Sequence, residues 1–143
     1  MNKKSFYTKA VHAGENLSEH HGALSVPIYN ASTYAFEDAD EGRAIHNYEK
    51  PGYFYGRLGN PTQAALEQAV AELENAEAAI AFASGMAAIS AAVLSLVKSG
   101  EHIVALSSMY STSSNLFQNI SENFGIGITY IDATDAENYK NAI

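Results

Sequence analysis

From Asn60 onward the chain alternates helical segments with short apolar runs joined by brief connections, and this order constrains the fold more than any other feature. Asn60-Pro61 opens the first helix, because Asn caps a helix start well and Pro at the first position has its φ preset without losing a needed donor. Leu66, Val70 and Leu73 fall at i, i+4 and i+7 as one apolar stripe, with Glu67, Glu72 and Glu74 outside it, so the spacing predicts a helix over 61–77. Residues 79–83 form an apolar, strand-like run closed by Ser84-Gly85. The helix expected over 86–98 is apolar nearly all round and ends at Gly100, which predicts burial on several sides. Residues 103–106 are continuously apolar, as in a strand covered on both faces. A third helix over 113–123 with Gly125 as its C-cap, a strand over 126–131 and a helix from Asp135 complete the pattern. The order α-β-α-β-α-β-α implies an α/β fold with a mostly parallel sheet and right-handed crossovers. With three strands and a fourth helix just beginning, the domain is expected to be incomplete.

Composition narrows the possible functions. The 143 residues are 47% apolar, enough for the core of one ordinary domain. Eight basic residues against 16 acidic give a net charge of −8, which argues against nucleic acid or an anionic membrane surface as partner. The absence of cysteine excludes a disulfide framework and thiolate-bound zinc, and it fits a reducing, cytoplasmic setting. No apolar run approaches the roughly 20 residues of a spanning helix. The N-terminal charges lack the apolar stretch of a secretory signal. Residues 1–59 are rich in His, Tyr, Asn and Gly and show little periodicity, so they read as an irregular segment before the α/β part.

Three places have the residue types for ligand chemistry. In 82–89 an apolar run ends in Ser84-Gly85 and a helix starts at once at Met86, so free helix N–H groups converge where an anion such as phosphate is favoured. Ser84 either caps that helix as an ordinary turn residue or donates its hydroxyl to a ligand. In 53–62, Arg57 is one of only two arginines and stands near Tyr55, a forked cation beside a phenol that matches a phosphate dianion. The alternative is a tyrosine-rich loop packed on the first helix with Arg57 solvated. In 109–115, Tyr110 follows a strand end and either stacks on a planar cofactor or covers a helix end. The five histidines show no metal-ligand spacing, His20-His21 reads as a polar loop, and Asp38, Asp40 and Glu41 read as a solvated face. Neither G-x-G-x-x-G, the P-loop pattern nor G-x-S-x-G occurs.

Read in order, 10–15 (Ala-Val-His-Ala-Gly-Glu), 26–29 with 32–34, 55–62, 83–89 and 100–104 resemble the N-terminal part of the Cys/Met-metabolism (transsulfuration) family of pyridoxal phosphate enzymes, which includes cystathionine γ-synthase and methionine γ-lyase. The resemblance covers nearly the whole chain. It implies the first part of a type I, aspartate aminotransferase-like large domain over 60–143, with 1–59 as an arm serving the neighbouring subunit's site. By the same resemblance Ser84 and the Gly85 and Met86 amides would hold the cofactor phosphate, and Tyr110 would stack on the pyridine ring. Tyr55 and Arg57 would reach the phosphate of a neighbouring protomer's cofactor. That role requires at least a dimer, and the family is typically a dimer of dimers.

The substrates implied are small amino acids: methionine, cystathionine or O-acylhomoserine, undergoing β- or γ-elimination or γ-replacement. Residues 82–86 lean towards the methionine γ-lyase branch. Ser111-Thr112 stand where the family commonly has glycine after the stacking tyrosine, so substrate preference does not carry over from any one member. None of the six lysines lies in the family's Ser-x-[Thr/Ser]-Lys context for the Schiff base. The chain alone is therefore expected to hold the phosphate and stacking half of the site and to be inactive. Two other readings are a fragment that only self-associates or binds a complementary fragment, and a monomeric flavodoxin-like ligand-binding domain.

Overall fold

The structure, a computed structural model, describes residues 5–143. They form two compact units, one ending at Ala81 and one spanning Phe82–Ile143. The first unit contains helices α1 (Phe6–His12), α2 (Ala39–His46) and α3 (Pro61–Glu74). The second runs α4 (Gly85–Leu96), β1 (His102–Leu106), α5 (Ser111–Phe124), β2 (Gly127–Ile131) and α6 (Glu137–Ala142). The compositional change at Asn60 and the packing division after Ala81 do not coincide, because α3 packs with α1.

α3 begins as expected. The Asn60 side chain accepts the Thr62 N–H at 2.9 Å, and Pro61 is buried at the first position. The same Asn60 amide donates to the Tyr29 carbonyl at 2.9 Å and to Tyr34 Oη at 3.0 Å, while Thr62 Oγ1 accepts from the Tyr29 N–H at 2.9 Å. The first turn of α3 thereby straps down the segment that precedes it. The helix stops at Glu74 rather than residue 77, because Asn75 turns left-handed (φ 53°) and returns its N–H to the Ala71 carbonyl. Lys9 of α1 caps this end, donating to the Glu72 carbonyl at 2.8 Å and to Asn75 Oδ1 at 2.7 Å.

The stripe of Leu66, Val70 and Leu73 is not the buried face of α3: Leu66 is 56% exposed, and Ala71 is the buried apolar residue. Beyond α1 the chain passes over Ala65 and Ala69 instead, at Gly14. A Cβ on Gly14 would lie 2.1 Å from the Ala65 carbonyl oxygen, and its φ is +75°, so this crossing requires glycine.

The N-terminal region differs from expectation in two respects. Residues 5–59 are less irregular than their composition suggests, because Ser5 caps α1 and Asp38 caps α2. Asp38 to Glu41 is a D-x-x-E helix start: Asp38 accepts the Glu41 N–H at 2.8 Å, and Glu41 accepts the Glu37 N–H at 2.6 Å. His20-His21 lie in a turn, as a polar loop would, but His20 is buried and hydrogen-bonds Tyr29 Oη at 3.0 Å.

In the second unit β1 and β2 pair in parallel, His102 opposite Gly127 through Leu106 opposite Ile131, with α5 as the crossover. Gly125 ends α5 left-handed (φ 67°), and its carbonyl accepts the Gly100 N–H at 2.8 Å; the Gly127 N–H returns to Glu101 at 2.9 Å. These links set the strand register from the loop ends. Ala105, Ile120, Ile126 and Ile131 form the core between sheet and helix.

The expected strand over 79–83 does not form: the sheet has two strands among the described residues. A strand needs a ladder partner, and the Ala81 N–H is met instead by Glu67 Oε1 at 2.8 Å. The expected burial of α4 fails likewise. α4 packs on α5, no α4 residue is buried, and Leu96 is 79% exposed. An all-round apolar helix buries only the sides its neighbours cover.

Candidate functional site

Ser84 is extended (φ −155°, ψ 157°), and its Oγ accepts the Ala87 N–H at 3.1 Å, so it does cap α4. This cap satisfies the third amide of the helix. Among the described residues nothing accepts the first two, the N–H groups of Gly85 and Met86. Both lie in the first turn, where helix amides and the macrodipole face outward together. No acidic residue occupies the first turn of α4, so no carboxylate competes for them. A Cβ built on Gly85 would meet nothing within 4 Å, which leaves open space beside the amides. The Ser84 hydroxyl accepts from Ala87 and keeps its own proton for a ligand.

Tyr110 follows the carboxyl end of β1 as the N-cap residue of α5, which starts at Ser111, two residues before the expected position. It is 67% exposed and makes no side-chain capping bond, so its ring face is available. The first turns of α4 and α5 are tied together, because the Ser113 hydroxyl donates to Met86 Sδ at 3.6 Å. The structure thus brings Ser84, Gly85, Met86 and Tyr110 into one unit, on neighbouring helix starts.

Tyr55 and Arg57 lie in the first unit, on a short turn. Tyr55 bridges Thr33 in antiparallel fashion, the Gly56 N–H reaches the Ser32 carbonyl at 2.7 Å, and the Leu58 and Gly59 amides return to the Tyr55 carbonyl. The Arg57 guanidinium carbon sits 5.5 Å from the Tyr55 ring centroid, a cation–π distance. Both side chains are exposed. Arg43 is paired with Asp40 at 2.6 Å, whereas Arg57 has no carboxylate partner among the described residues. A forked cation is thus held on a phenol with its donors free. Nearby Tyr53 is half-buried and lies against Tyr34, and burial pushes its phenol above the ordinary range, so it stays a proton donor.

Ser113 lies within 109–115 but has no role of its own in the reading of that stretch. A signal for it was present: Ser113, Leu116, Phe117 and Ile120 follow i, i+3, i+4 and i+7, placing a hydroxyl on the inward stripe of α5. Among the described residues no group of three or more His, Asp or Glu is disposed to hold a metal ion. No helix among them is long and apolar enough to cross a membrane.

The model of the "Cys/Met metabolism PLP-dependent enzyme" family matches residues 7–143. The chain is 38% identical to an L-methionine gamma-lyase of Treponema denticola, over 100% of this chain and 35% of that protein. It is 39% identical to a cystathionine beta-lyase of Coxiella burnetii, over 99% of this chain and 35% of that protein. A crystal structure from Campylobacter jejuni that carries N'-pyridoxyl-lysine-5'-monophosphate superposes with a TM-score of 0.87 at 33% identity, covering 98% of this chain and 34% of that one. The chain spans about a third of the length of the relatives it matches. With the family model matching from Tyr7 to Ile143, the chain belongs to the Cys/Met-metabolism family of pyridoxal-phosphate-dependent enzymes.

Proposed function

We propose that the protein serves pyridoxal-phosphate-dependent elimination or replacement on a sulfur amino acid or O-acylhomoserine, with methionine γ-lyase-like chemistry favoured. The observation that carries this reading is the pair of unaccepted amides at Gly85 and Met86, with open space beside Gly85 and Tyr110 exposed on the adjoining helix start. These residues fit a phosphorylated, planar cofactor: amides and the Ser84 hydroxyl for the phosphate, the Tyr110 ring for the pyridine face. When bound, pyridoxal phosphate supplies an electron sink for the pair left at Cα after its proton is removed.

Tyr55 and Arg57 extend the phosphate contacts from a neighbouring copy, which makes the assembly a dimer at least, and a dimer of dimers by family pattern. The arm is then 1–59, and 60–143 open an aspartate aminotransferase-like large domain in a cytoplasmic enzyme. No lysine of the chain stands in a Ser-x-[Thr/Ser]-Lys context, so the Schiff-base lysine is supplied from outside these 143 residues. The chain's own residues bind and orient the cofactor; they do not carry the proton transfer.

The test compares two polypeptides, each with pyridoxal phosphate and with methionine, cystathionine or O-acetylhomoserine. The 143 residues alone release no keto acid. The same chain extended through a Ser-x-Thr-Lys segment releases keto acid and, from methionine, a thiol. Turnover by the shorter chain, or none by the longer, goes against the proposal.

A further inference from the structure

We infer that Ser113 is a positioning residue that sets the phosphate-binding amides and the Tyr110 ring in register, acting through Met86; this rests on the cofactor reading above. Ser113 is 5% exposed and, with His20, one of two buried polar side chains among the described residues. Its place on the inward stripe of α5, with Ile120 fully buried one stripe repeat away, is one an apolar residue would fill without the cost of burying a hydroxyl. The hydroxyl is used instead to donate to Met86 Sδ at 3.6 Å. Among the described residues this is the only side-chain hydrogen bond between α4 and α5.

Thioether sulfur is a weak acceptor, so the contact adds little stability. Its consequence is geometric. Met86 is the second residue of α4 and owns one of the two unaccepted amides, and Ser113 lies three residues after Tyr110 in the first turn of α5. Ser90 Oγ also donates to the Met86 carbonyl at 2.7 Å, so Met86 is held at both its backbone and its side chain. One bond therefore gives the α4–α5 packing a directional contact at the level where amides and ring meet a ligand. The apolar and small residues that line the rest of α4 offer no such contact.

The test titrates the purified protein with pyridoxine 5'-phosphate, which lacks the aldehyde and so needs no lysine, and with pyridoxine. Affinity, the induced circular dichroism of the bound ring and thermal unfolding are read on the same samples. Ser113→Ala removes the donor. Met86→Leu removes the acceptor while conserving volume, which keeps the test informative if the first variant folds poorly.

Each variant is expected to weaken pyridoxine 5'-phosphate about twofold, the low end for a hydrogen bond, and to reduce the ring dichroism at saturation. The double variant is expected to be no worse than either single one, because both remove the same interaction. Unchanged affinity and dichroism in Ser113→Ala, or losses that add in the double variant, overturn the positioning role. Failure of the unsubstituted protein to prefer pyridoxine 5'-phosphate over pyridoxine overturns the cofactor reading itself, and this inference with it.

Discussion

Ser84 and Asn60 show how much a single side chain decides at a helix start. Each caps its helix through a bond spanning two or three residues, Asn60 to Thr62 and Ser84 to Ala87, and each is recognisable from its neighbours in the chain. What the Ser84 cap leaves over, the Gly85 and Met86 amides, follows from helix geometry and was equally legible. The partners of Ser113 and His20 were not, because they lie 27 and 9 residues away, and only the folded chain brings Met86 and Tyr29 to them. Tyr110 has a residue-scale consequence. Its ring offers a stacking face worth about 0.5–1.5 kcal/mol, so Tyr110→Ala should weaken pyridoxine 5'-phosphate roughly two- to tenfold while Tyr110→Phe binds nearly as the unsubstituted protein does. Fluorescence titration distinguishes the two, and equal losses in both variants would assign the tyrosine's role to its hydroxyl instead.

The helices of the first unit depend on charges brought in from elsewhere in the sequence. Lys9 places an ammonium on the C-terminal carbonyl of α3, where a cation also meets the negative end of the helix dipole. Lys9→Met keeps most of the stem and should cost about 0.5–1 kcal/mol in urea unfolding; an unchanged midpoint and slope would show that the cap is energetically idle. The start of α2 depends on pH. Glu41 is hydrogen-bonded by Lys50 and by the Glu37 N–H, and these hold its carboxyl below the ordinary range; the same pair raises Lys50. A folded pKa depressed below the unfolded one contributes stability that is present above the unfolded value and lost as pH falls through the folded one. Acidification through and below the ordinary Glu range should therefore loosen α2 while α5, which contains no such pair, holds. Backbone amide shifts of residues 39–46 against those of 111–124 report this, and simultaneous melting of both helices would contradict it. The positions of α3, α4, α5 and β1–β2 were legible because helix and strand periods are local. Their exact ends were not, since Asn75 left-handed and Ser111 helical are settled by caps and contacts.

Across the whole molecule, Phe6, Tyr7, Val11, Ile28 and Leu96 are all more than 60% exposed. The proposed assembly of at least two copies would cover such apolar side chains, and light scattering at micromolar concentration should return a dimer or larger species; a stable monomer across the range would count against it. Periodicity and capping residues in the chain already determine where most helices lie, that the β1 and β2 segments pair in parallel, and that free amides gather at Gly85, because these depend on hydrogen bonds between near neighbours or on a short crossover. Which faces are buried was decided only by the tertiary structure: Ala71 rather than Leu66 on α3, no residue of α4 where several sides were expected, and no ladder for 79–83. The physical reason is that burial and strand pairing are properties of whatever lies alongside a segment, and no residue carries that information within its own turn or strand.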